Sequence, residues 1–283
     1  MVLNHEAIGK KIGPLVRKYY WRDVILYALA VGAGSDEMEY CYEKQLKVLP
    51  TFSLATTFDF FWQLARAANI DLSGILHGEQ ELIFHNPLPV AGEMVTEGRV
   101  LNYYDKGEKR GALVVGECET CSASGDPLFS SVYSLFARND GGFGGPQSIP
   151  GPKLVFPDTE PAFVVDALPS VDQHLLYRLT GDYFAVHVDA EFAENSGFTG
   201  PIMHGACTMG YGCRALVGKL IFGAPEKMRR LACRFSHFLY PGVPIQTLIW
   251  PLEEGKALWR VINAETGVTL IDNGVCEYQV SAG

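Results

Sequence analysis

Long apolar runs are missing from this 283-residue sequence. None approaches the roughly 20 residues needed to cross a bilayer, so no spanning helix is expected. Basic charge is also short: 23 Lys and Arg against 32 Asp and Glu leave a net charge of −9. That balance disfavours general affinity for nucleic acid or anionic membranes, and an anionic ligand would need a local basic patch. The amino-terminal MVLNHEAIGKKIGPLVRKYYW lacks an apolar signal core, and the carboxy-terminal YQVSAG matches no retention or peroxisomal address. A cytoplasmic protein is the expectation.

Ligand clusters are absent as well. The seven cysteines are scattered and odd in number, which reads as reduced thiols. Cys118-Glu-Thr-Cys121 has zinc or redox spacing, but it lies in the strand-like ALVVGECETCSAS, where positions i and i+3 face opposite sides. No second pair completes a zinc set. GAGSD and GGFGG lack the strand–glycine–helix context of a phosphate loop. No metal, nucleotide or redox cofactor is therefore expected.

What is present is a core. Hydrophobic residues make up 48% of the chain and charged ones only 19%, so disorder is not expected. One segment, RNDGGFGGPQSIPGPKLVFPDTEP, is too rich in Gly and Pro for a helix or sheet interior. It divides the chain into residues 1–138, a linker at 139–161, and residues 162–283. Each part reads as a leading segment, one long apolar helix, and then several strands rich in Val, Leu, Tyr and Phe. The helices are SLATTFDFFWQLARAANI and ACTMGYGCRALVGKLI, both too apolar for a surface helix, so sheet should wrap them. Gly205, Ala206, Gly210, Gly212 and Ala215 would let sheet or backbone approach the second closely. The first is most simply a packed helix, although its aromatic content would also suit a bulky pocket. IFHNPLPVAGE parallels RFSHFLYPGVP, a strand broken by Pro with Gly at the turn. The expectation is an α+β fold with antiparallel sheet, a curled sheet around a buried helix, duplicated in tandem: a double hot-dog.

The stretch GDYFAVHVDAEFAENSGFTGPIMHGACTMG, residues 181–210, carries the candidate chemistry. In one continuous helix Asp182 and His187 would point about 140° apart. They meet only if Asp182 sits in the turn after Gly181, with His187 a helical turn further on. Taken alone, Asp182 reads as a helix cap. Converging with His187, it forms an acid–base pair able to hold one water. His204 and Gly205 open the second helix, where N–H groups have no internal partner and the dipole favours negative charge. The Gly205 amide is thus a candidate oxyanion donor, and His204 is expected to orient the helix start. Asp189 and Glu191 read as the capped start of a short solvated helix ending near Gly197.

On these residues, and on YALAVGAG, VLPTF, ILHGEQ and the DKG turn, the sequence resembles the MaoC-like, (R)-specific enoyl-CoA hydratases over nearly its whole length. The family motif Asp-x-Asn-Pro-x-His appears here as Asp182-Tyr183-Phe184-Ala185-Val186-His187, and Pro-Ile-Leu-His-Gly as Pro201-Ile202-Met203-His204-Gly205. The resemblance implies hydration of a trans-2-enoyl-CoA to the (3R)-3-hydroxyacyl-CoA, or the reverse, with Asp182, His187 and Gly205 catalytic. It implies a first repeat that receives the acyl chain and coenzyme A through His77, Gly78 and Lys106, with Phe235 and the loop residues Tyr183 and Phe184 also at the substrate. By analogy it implies a homodimer. Lys106 reads equally as a solvated turn lysine, and Phe235 as core. Phe184 replaces an amide that orients water, and Ala185 a stiffening Pro. Either the acyl group is unusual or the chemistry is weakened, unless another group such as the Tyr183 hydroxyl compensates. The rivals are a hot-dog thioesterase and a non-catalytic acyl-CoA-binding protein.

Overall fold

The structure, a computed structural model, describes residues 3–149, 154–253 and 255–280. Residues 150–153 of the expected linker, residues 1–2, and residues 281–283 of the carboxy-terminal stretch searched for address signals lie outside them. The first repeat contains β1 (Lys11–Tyr19), α1 (Trp21–Ala30), α2 (Met38–Cys41), α3 (Phe52–Ala67), β2 (Ile75–Phe84), β3 (Gly92–Asp105), β4 (Ala112–Ser122) and β5 (Pro127–Ala137). The second contains β6 (Phe163–Ala167), α4 (Gln173–Arg178), α5 (Ala190–Asn195), α6 (Gly205–Leu220), β7 (Met228–Phe235), β8 (Ile245–Glu253), β9 (Lys256–Asn263) and β10 (Thr269–Tyr278).

These strands form one ten-stranded sheet in the order β1-β3-β4-β5-β2-β7-β10-β9-β8-β6, antiparallel at every pairing. Read from its outer edge, each repeat has the same order: first strand, third, fourth, fifth, second. The chain is a double hot-dog, fused where β2 pairs with β7 from Glu79↔Arg234 to Ile83↔Arg230.

Both long helices lie in the core, as their apolar sequences require. Gly98 in β3 and Gly116 in β4 let α3 settle onto the sheet: a Cβ at Gly98 would come within 2.5 Å of the Phe60 ring, and one at Gly116 within 2.6 Å of Leu64. On α6 the close approaches are made by side chains. Trp259 of β9 presses on Gly212 at 2.5 Å from a Cβ position, and Val31, beyond the end of α1, covers Gly210. Arg214 ties α6 to the loop after α1 by donating to the Val31 carbonyl at 2.9 Å and pairing with Glu37.

Residues 139–149 and 154–161 contain no helix or strand. The Asp105 carboxylate fastens the start of this segment, accepting N–H bonds from Gly107 (2.8 Å), Gly142 (2.8 Å) and Gly144 (2.6 Å). Those bonds hold its pKa below the usual carboxylate range. Further on, Leu154 and Phe156 pack with Trp250, Leu258 and Val275 on the sheet face turned away from α6, and the Arg260 guanidinium lies 3.7 Å over the Phe156 ring.

Candidate active site

The loop from α4 to α6 supplies most of the site. At Gly181 the backbone adopts φ +142°, a region that L side chains rarely enter. The chain turns there, and Asp182 Oδ1 accepts the Phe184 N–H at 3.1 Å. This two-residue Asx turn replaces the expected helix cap: the 3₁₀ turn at Ala185–His187 has no side-chain cap. That short turn still brings Asp182 and His187 together, with His187 Nε2 3.9 Å from Asp182 Oδ2.

The proton on His187 can be placed by elimination. Its Nδ1 lies 2.8 Å from the Ile202 carbonyl, which can only accept. Nδ1 therefore carries the hydrogen, and Nε2 presents a lone pair toward Asp182. A gap of 3.9 Å is too long for a direct hydrogen bond but admits a water bonded to both groups. Burial pushes the Asp182 pKa up to about 7, offset in part by the Phe184 N–H, and brings His187 down to about 4. Near neutral pH the imidazole is uncharged, and the carboxyl is the member of the pair that can gain and lose a proton.

His204 stands behind this pair. Its ring stacks on His187 with centroids 3.7 Å apart, and Nε2 donates to the Asp182 backbone carbonyl at 3.2 Å. Beyond it, α6 begins with Gly205, whose N–H has no acceptor within the helix. Asp189 accepts the Phe192 N–H at 3.0 Å and starts α5, as its sequence implies.

Asp182, His187 and Gly205 border a cavity of about 350 Å³, shared with His77, Phe184 and Phe235. Two repeats build it: His77 at the start of β2 touches Phe235 at the end of β7, ring centroids 4.6 Å apart. Burial pulls the His77 pKa down to about 4. A Cβ on Gly205 would come within 2.9 Å of the Phe235 ring, so glycine is needed there for fit as well as for an open amide.

Three other residues expected at the substrate do not line the cavity. Gly78 lies at the register break between His77 and Glu79, where a Cβ would press on the Ser134 carbonyl at 3.0 Å. The Lys106 ammonium donates to the Gln147 carbonyl at 2.6 Å. Tyr183 is 60% exposed, its ring under the Arg178 guanidinium. Conversely, Phe58, Phe61 and Trp62 of α3 do line the cavity. Their i, i+3, i+4 spacing was the available signal.

Comparison with known proteins agrees with this architecture. A family model for the MFE-2 hydratase 2 N-terminal domain matches residues 18–139, and one for the MaoC-like domain matches residues 154–274. The chain belongs to the MaoC-like hydratase 2 family. It is 35% identical to 3-hydroxyacyl-thioester dehydratase Y of Mycobacterium tuberculosis, over 98% of this chain and 99% of that one. It is 33% identical to a probable enoyl-CoA hydratase 2 of Dictyostelium discoideum, over 95% and 94%. The crystal structure of a MaoC-like dehydratase from Phytophthora capsici superposes with a TM-score of 0.88 at 28% identity, covering 99% of this chain and 100% of that chain.

Within this MaoC-like site, ligand atoms of Asp182, His187 and His204 lie within 4.8 Å of one another, close enough to suggest a metal seat. The two imidazoles are stacked at an interplanar angle of 25°. Their in-plane lone pairs thus lie in two nearly parallel, stacked planes instead of converging within one, so the trio suits proton handling. No helix among the described residues is long and apolar enough to cross a membrane.

Proposed function

We propose that this protein adds water across the double bond of a trans-2-enoyl-CoA, giving the (3R)-3-hydroxyacyl-CoA, and catalyses the reverse dehydration. The observation that carries this reading is the facing pair of Asp182 Oδ2 and His187 Nε2, 3.9 Å apart, in a cavity that the start of α6 also borders. A water held by both acceptors donates one hydrogen to each and directs a lone pair at Cβ. As the C–O bond forms, Asp182 takes a proton from the water, and the electron pair of the double bond moves into the thioester. The Gly205 N–H then donates to the thioester oxygen while it carries the enolate charge. Asp182 returns the proton to Cα, so one water is consumed and the enzyme is restored.

The overall charge of the molecule opposes this substrate. Coenzyme A is anionic and the chain carries net charge −9, so binding requires local basic charge. We assign that role to Lys106, which stands outside the cavity, close enough to Glu79 to offset part of the rise that burial gives that carboxyl's pKa. A homodimer in the cytoplasm completes the reading.

Loss of enoyl-thioester absorbance, with chiral analysis of the product, tests the assignment. Asp182→Asn should lower kcat/KM by about 10³-fold, within the range for loss of a positioned proton-transfer group. Free thiol should not be released. Thiol release at the rate of substrate loss would convert the reading to a thioesterase. Tight acyl-CoA binding without turnover, unchanged in Asp182→Asn, would convert it to a non-catalytic binder.

A further inference from the structure

The cavity is not chemically uniform. Asp182, His187 and Gly205 share its lining with aliphatic side chains such as Ile75, Leu239 and Ile271 and with a connected group of rings. Phe58, Phe61 and Trp62 form one stripe of α3. Phe58 and Phe61 are stacked, centroids 5.2 Å apart at 12°. Trp62 meets Phe58 edge-on at 5.9 Å and Phe184 edge-on at 5.2 Å. The Phe184 ring is in turn 6.4 Å from the His187 ring. An aromatic path therefore leads from the reacting pair into the cavity.

These rings pack against the core on one side and face the cavity on the other. Phe58, Trp62 and Phe184 are only partly buried, and aliphatic side chains would close the wall equally well. At position 184, on the loop that carries Asp182 and His187, a ring lines the cavity. An unbranched chain gains from any apolar wall in proportion to area. A ring gains more from partners that offer it edges and faces, because such pairs add to the area effect. Space is sufficient: an apolar cavity of about 150 Å³ holds benzene, and this one measures about 350 Å³.

We propose that the acyl end of the cavity recognises a ring-bearing acyl group, aromatic or otherwise planar, with Trp62 and Phe184 setting the preference. The proposal rests on the hydratase reading, because it takes the reacting pair as the thioester end. It is tested on unreactive saturated thioesters, so that binding is read apart from chemistry. In titration calorimetry 5-phenylpentanoyl-CoA should bind at least about fivefold more tightly than undecanoyl-CoA, which has the same number of acyl carbons and more apolar surface. Trp62→Leu should bring that ratio close to one, and Trp62→Phe should keep most of it. If Trp62→Leu fails to fold, Phe184→Leu, on the loop, gives the same ratio. Equal or weaker binding of the phenyl compound overturns the proposal, as does a ratio indifferent to both leucine variants. Turnover is scored separately with the matching 2-enoyl thioesters. If neither reacts, the hydratase reading fails while the ring preference still stands or falls on its own ratio.

Discussion

The two repeats share one strand order and one central helix, yet only the second opens its helix onto a facing acid and imidazole. At the start of α6 stands Gly205, beside a cavity of about 350 Å³. At the start of α3 stands Phe52, 2% exposed and packed edge-on against Tyr19 and Tyr27 at 5.2 and 5.6 Å. The corresponding place in the first repeat, between the start of α3, the end of β2 and the start of β7, keeps only a hollow of about 170 Å³. Pro50, Phe84, Pro87 and Met228 are among its lining residues. The approach to the helix differs too. In the second repeat it carries Asp182 and His187, whereas in the first, α1 presents the apolar VILYALA. The fold thus supplies two equivalent seats, and the side chains at one helix start, with the loop before it, decide which becomes chemical.

The largest effect that would sharpen this contrast lies in the first repeat. Phe52→Ala should cost about 3–5 kcal/mol of stability, as for other buried Phe truncations, measured by urea unfolding. It should leave kcat/KM of the folded fraction within about twofold. A catalytic loss far beyond the loss of folded protein would mean that the first helix start also serves chemistry.

Next is the electrostatic cost of the site. Asp182 has a folded pKa of about 7 against an ordinary 3.8. A carboxyl raised in this way binds protons more readily in the folded state between those values. Its contribution to stability is therefore greatest below about pH 4 and is lost as pH rises through about 7, the opposite of an ion-paired Asp. Asp182→Asn removes the buried charge, so above pH 7 it should be more stable than the parent by about 4 kcal/mol, a margin that shrinks as pH falls toward 4. Thermal unfolding from pH 4 to 8 checks this. A constant margin would mean that Asp182 is not the group being neutralised.

The smallest effect comes from making the second repeat resemble the first. Gly205→Ala keeps the amide but pushes a methyl toward Phe235. A shift of a few tenths of an ångström at the oxyanion donor should lower kcat about 10–30-fold, with a loss of about 1–3 kcal/mol in stability from the crowding. Unchanged kcat would mean that the reaction does not depend on the position glycine gives this amide.

The sequence carried much of this, and the limits of its reach are physical. Alternation and Gly/Pro punctuation located the strands, and apolarity all round each long helix required burial. Gly181, Asp182 and His187 were legible because local backbone geometry controls whether two side chains five residues apart can meet. The pairing of β2 with β7, which sets His77 against Phe235, was not, since register across 150 residues is fixed by tertiary packing. The outward turn of Tyr183 was equally hidden: neighbours in an irregular loop have no period to show which one faces inward. His204 read as a helix-start residue, and its stacking on His187 emerges only when the loop folds back. Cavity-facing aromatics on α3 looked like core because a helix with few polar positions does not mark which of its faces touches solvent.

The seam between β2 and β7 has a further consequence. Neither repeat encloses the reaction space, because each contributes one wall. Were the chain cut in the segment around residue 150, the fragments would have to find each other by diffusion, and catalysis would then vary with their concentration. A covalent tether replaces that search with a high local concentration. Duplication within one polypeptide thereby frees the second strand-and-helix unit to specialise while the first diverges into its permanent companion.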